Sequence, residues 1–138
     1  MSAGSLAHHD LCFGCGQANL FGLQVELERV AGGGVEGRFF VKQDHQGPPG
    51  YAHGGVIAAA LDEAMALLLL AEDRLALTRR LEVDLLAPAP VGTFVHLAAE
   101  LEEAEGRTLR LRASASSSEG SELAVARGIF VRTNSRGA

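Results

Sequence analysis

The residues best suited to chemistry in this 138-residue sequence are His53-Gly54-Gly55 and the carboxylate nine positions after the histidine, Asp62. Glycines at a loop-to-helix junction let a ligand approach the backbone, and the first N–H groups of a helix lack partners inside it. Together with the helix dipole they favour negative charge, such as an oxyanion developing on an attacked carbonyl. Asp62 lies about two and a half turns beyond His53, inside the apolar run VIAAALDEAMALLLLA. A carboxylate buried there costs several kcal/mol unless it is paired or protonated. It therefore faces either a partner across an interface or a reacting group, as base or nucleophile. Glu63 follows at once, rotated by about 100°, so the two carboxylates cannot both point into one pocket.

These residues need a scaffold, and the pattern of the chain supplies one. Residues 1–22 are Gly-rich and irregular. Leu23, Val25 and Leu27 alternate with Gln24, Glu26 and Glu28, and Val35, Gly37, Phe39 and Val41 alternate in the same way beyond Gly32-Gly33-Gly34. That is a strand, a turn and a strand. The Gly/Pro loop 44–55 precedes the Ala- and Leu-rich run, which predicts a long helix enclosed on most sides. Four further alternating stretches follow: Leu81–Leu85, Val95–Leu101, Leu109–Ala115 and 123–131. The expected fold is α+β, one long helix wrapped by a six-stranded antiparallel sheet, in a single domain over 1–138. One helix covers only part of such a sheet, and its apolar surface asks for more cover. A second copy of the chain is the simplest candidate, which predicts a homodimer or a dimer of dimers.

Composition narrows the partners. Seventeen acids against twelve bases leave a net charge of -5, which argues against nucleic-acid binding because that needs a basic face. A phosphorylated small ligand is still accommodated by a few local arginines, and eleven of the twelve bases are Arg. The start of the chain has no basic stretch followed by an apolar run, so a reducing, cytoplasmic setting is expected. The segment from Gly54 to Ala71 is apolar enough to raise the question of a membrane span. Asp62 and Glu63 at its middle favour a buried helix and no membrane.

The run HGGVIAAALDEAMA resembles the active-site helix of the hotdog-fold acyl-CoA thioesterases, in particular the phenylacetate-pathway thioesterase-like group. The order of elements fits that fold over nearly the whole chain, and C-x-x-C-G-x-x-N-x-x-G-L at 12–23 is similar to the N-terminus of one bacterial branch. The resemblance implies hydrolysis of acyl-CoA thioesters to free acid and CoA, without metal or other cofactor. Asp62 would be general base or nucleophile, the Gly54 N–H would polarise the thioester carbonyl, and His53 would shape the turn. It also implies that carboxylate and oxyanion turn come from different subunits. Gly55, Gln46, Glu63, Thr78, Arg79 and Arg80 complete the candidate substrate site, with Arg110 and Arg112 as further candidates for CoA phosphates. Relatives often carry Asn or Gln about six residues before the histidine, where this chain has Gly47, with Gln46 beside it.

Other readings stay open at this point. A non-catalytic acyl-CoA binder, a 3-hydroxyacyl thioester dehydratase using His53, and a purely structural dimer share the same pattern. Thr78 is either a water-binding hydroxyl or an ordinary strand-entry residue. Cys12 and Cys15, with His8 and His9 upstream, carry zinc-ligand atoms, but the spacing is compressed and no second CxxC exists. The cysteines are expected to pack the N-terminal loop near the pocket mouth.

Overall fold

The computed structural model describes residues 6–133 and has the hotdog architecture expected from sequence. A hairpin of β1 (Glu26–Arg29) and β2 (Val35–Phe40) precedes helix α1 (Gly54–Ala71). Strands β3 (Ala76–Leu85), β4 (Phe94–Glu105), β5 (Thr108–Ser116) and β6 (Glu122–Arg132) follow. All six form one antiparallel sheet in the order β1-β2-β4-β5-β6-β3. The β1–β2 turn depends on glycine, since Gly32, Gly33 and Gly34 all have positive φ (91°, 113° and 87°).

Period-two alternation sets the core. Val95, Leu97 and Ala99 of β4, Leu109, Leu111 and Ala113 of β5, and Ala124, Ala126 and Phe130 of β6 are buried against α1. The helix answers with Ile57, Leu61, Met65 and Leu68, each burial contributing roughly 1.5–3 kcal/mol. Gly128 leaves room for its neighbours: a Cβ there would lie 2.8 Å from Phe130 Cε1 and 3.0 Å from Met65 Cε on the helix. The sixteen-residue apolar run is thus the centre of a wrapped sheet.

One expected strand starts late. Leu23 and Val25 are buried on the expected face, but β1 begins only at Glu26. Gln24 has φ 53°, which no extended ladder accepts. The Leu23 and Val25 N–H groups donate instead to Phe13 O (2.8 Å) and Gly14 O (2.9 Å). The N-terminal loop therefore replaces the sheet as their partner. At the other end of the sheet, β3 is an edge strand with Leu77 68% exposed and Leu85 56% exposed.

Candidate active site

Asp62 and Thr78 meet. Thr78 Oγ1 donates to Asp62 Oδ1 at 2.7 Å. A β-bulge makes this possible: Thr78 pairs with Phe130, Arg80 with Ile129, and Arg79 is the extra residue between them. From Leu81, opposite Gly128, strict alternation would turn Arg79 toward the helix and Thr78 away. The inserted residue reverses that phase and puts Thr78 on the face of buried Phe130. Period-two reading of the sequence cannot see such an insertion. Burial pushes the Asp62 carboxyl above its usual range, assisted by the Glu63 charge and opposed by Thr78 and His8.

The His53 turn caps the helix. His53 is in an extended conformation (ψ 138°) and its Nδ1 accepts from the Gly55 N–H at 2.8 Å. Val56 and Ile57 donate to His53 O. Among the described residues this leaves the Gly54 N–H as the first-turn donor without a partner. Behind the turn stands His45, 2% exposed. Its Nδ1 accepts from the Lys42 N–H (3.0 Å), its Nε2 contacts Gly22 O (3.1 Å), and its carbonyl accepts from the His53 N–H (2.8 Å). His45 thus holds the turn and the N-terminal loop together, a role no motif in the sequence marks.

The remaining candidates are spread more widely. Gln46 Oε1 accepts from the Gly50 N–H, so its amide is engaged within its own loop. Gly47 packs against His53; a Cβ would lie 2.8 Å from His53 Cα. An Asn or Gln at 47 would therefore require the loop to move. Arg80 pairs with Glu82 (3.2 Å), Arg110 with Glu103 (3.5 Å) and Arg112 with Glu100. Exposed Arg79 has no carboxylate partner among the described residues. A recess of about 860 Å³ opens on the sheet face away from α1, lined by Glu36, Glu82, Asp84, Glu100 and Arg112. None of Asp62, Thr78 or the His53 turn reaches it.

Glu63 points elsewhere, as its rotation requires. Its Oε2 lies 2.8 Å from His8 Nδ1 and 3.6 Å from Cys12 Sγ, on the side of the N-terminal loop. Burial alone would raise the Glu63 carboxyl, but hydrogen bonds with His8 and the two thiols hold it below its usual range. The same bond lifts the His8 imidazole to about 9. His9 stands outside this group, its Nδ1 accepting from the Leu11 N–H.

Comparison with known proteins gives the family and the fold. The thioesterase superfamily model matches residues 49–124, more than half of the chain, from the loop before His53 into β6. The chain belongs to the thioesterase superfamily. It is similar in structure to a crystallised thioesterase superfamily protein, with 26% identity and a TM-score of 0.83 over 88% of this chain. It spans 60% of the length of that protein. A hypothetical thioesterase from Streptococcus pneumoniae, solved with coenzyme A, is 18% identical with a TM-score of 0.76, covering 82% of this chain and 91% of that one. The same protein has been solved with alanine in place of an aspartate and of a threonine sixteen positions further on. The E. coli PaaI protein from the phenylacetic acid degradation operon is 19% identical with a TM-score of 0.76, covering 86% and 87%.

Proposed function

We propose that this protein hydrolyses acyl-CoA thioesters to a free acid and CoA, with Asp62 as general base or nucleophile and the Gly54 N–H polarising the carbonyl. The observation that carries this is the Asp62–Thr78 pair, a half-buried carboxylate oriented by a hydroxyl at 2.7 Å in a thioesterase superfamily scaffold. The spacing of sixteen between Asp62 and Thr78 equals that of the aspartate and threonine replaced in the coenzyme A-binding S. pneumoniae protein. Arg79 is the arginine best placed to take a CoA phosphate, because the bulge sets it beside Thr78 without a carboxylate to occupy it.

One chain does not complete the site. Eight residues of helix separate Gly54 from Asp62, a rise of about 12 Å, too far for both to touch one carbonyl. Two copies bring them together if the free edge of β3, with exposed Leu77, Leu85 and Leu86, is the seam of a homodimer. The test is thiol release from a panel of acyl-CoAs. Asp62→Asn should lower the rate roughly 10²–10⁴-fold, the range for loss of a general base. Equal rates for wild type and variant on every substrate would overturn the proposal in favour of a binding protein.

A further inference from the structure

A second cluster gathers around Glu63, about 100° around the helix from Asp62, and has no part in the hydrolysis proposed above. His8 Nδ1, Cys12 Sγ, Cys15 Sγ and a Glu63 oxygen all lie within 4.8 Å of one another. From this geometry we infer a structural zinc site whose four ligands are His8, Cys12, Cys15 and Glu63.

Zinc binds sulfur at about 2.3 Å and nitrogen or oxygen at about 2.0–2.1 Å, so a tetrahedral ion sets its ligand atoms about 3.3–3.8 Å apart. The observed separations are 3.8 Å for Cys12 Sγ to His8 Nδ1, 3.4 Å for Cys15 Sγ to His8 Nδ1 and 3.6 Å for Cys12 Sγ to Glu63 Oε2. His8 to Glu63 is closer, 2.8 Å, the length of a direct hydrogen bond. Opening that one contact by about half an ångström gives the tetrahedral edge. Two thiolates, an imidazole and one carboxylate form a donor set that selects zinc over the hard cations calcium and magnesium. All four positions are filled by protein, as in structural rather than catalytic zinc sites.

The surroundings hold the ligands in place. Cys15 is fully buried, and the Glu63 side chain is 12% exposed. The His8 N–H donates to Cys15 Sγ at 3.1 Å, the kind of contact that stabilises a metal-bound thiolate. Gly14, between the cysteines, lies so close that a Cβ would sit 2.4 Å from the Glu63 carboxyl. Spacing along the chain offers His9 as the fourth donor and discourages a metal; the fold supplies Glu63 from the middle of α1 instead. The ion would pin the N-terminal loop to the helix one residue from Asp62.

The experiment uses the full chain, desalted after incubation with zinc chloride, and counts bound metal by mass spectrometry. One zinc per chain is expected. Cobalt(II) in its place should give the intense visible bands of a tetrahedral site with thiolate-to-cobalt charge transfer. Cys12→Ser and Cys15→Ser should each diminish that charge transfer, and zinc should raise Tm while a chelator lowers it. Glu63→Gln keeps the side-chain shape and should weaken zinc binding more than 10-fold. This variant keeps the test decisive if the serine variants do not fold. Wild type that takes up no zinc, a six-coordinate cobalt spectrum, or Glu63→Gln binding zinc as tightly as wild type would each overturn the site.

Discussion

Thr78 Oγ1 reaches Asp62 Oδ1 at 2.7 Å because one extra residue, Arg79, interrupts the pairing of β3 with β6. A hydrogen bond to a charged group contributes roughly 1.5–3 kcal/mol. Thr78→Val, which keeps the shape and removes the donor, should therefore lower kcat roughly 10–100-fold, and Thr78→Ser should restore most of it. Steady-state thiol release on one acyl-CoA measures both. Equal kcat for the valine variant and wild type would remove Thr78 from the site.

The bulge at Arg79 and its proposed contact with a CoA phosphate separate experimentally. Arg79→Ala retains the bulge and should raise KM for acyl-CoA several-fold while leaving kcat near wild type. The same variant should process an acyl N-acetylcysteamine thioester, which lacks the phosphates, as wild type does. Deleting Arg79 instead closes the ladder with Thr78 still opposite Phe130, so the bond to Asp62 should survive and kcat should fall far less than in Thr78→Val. Circular dichroism would show the sheet retained.

The proposed sharing of the site between two chains can be tested by complementation. Proline is tolerated at the first position of a helix, so Gly54→Pro removes the N–H at little structural cost. The neighbouring atom a new Cβ would meet, Leu85 Cδ1 at 2.8 Å, is the far end of a side chain that can rotate aside. Gly54→Pro and Asp62→Asn should each be inactive alone. Co-expressed, half of the dimers are mixed and one of their two sites is intact, giving about a quarter of wild-type activity if the site spans the interface. A site within one chain gives none.

His45 should matter for stability. Its ring fills a buried position beside Phe39 and satisfies backbone groups of two loops. His45→Ala leaves a cavity and two unpaired backbone groups, which should cost about 2–4 kcal/mol in urea unfolding.

The parts of the molecule legible in the sequence are those set by simple periodicity. The run 56–71 gives the helix, the alternation at β4, β5 and β6 gives the wrapped sheet, and a turn of about 100° separates Asp62 from Glu63. Interactions that depend on a change of phase or on a distant loop stay hidden. The bulge at Arg79 inverts the facing of Thr78. The loop carbonyls of Phe13 and Gly14 take the place of a strand for Leu23 and Val25. The meeting of Glu63 with His8, 55 residues away in sequence, is a product of tertiary folding alone.

The cap at His53 has one more consequence. Because Nδ1 accepts the Gly55 N–H, the ring proton must sit on Nε2, and the lone pair is already spent. What the turn then offers to an incoming molecule is donors only, the Gly54 amide and the imidazole Nε2–H. In the proposed reaction, a carbonyl oxygen would meet two donors here, and a substrate hydroxyl would find no proton acceptor at the ring.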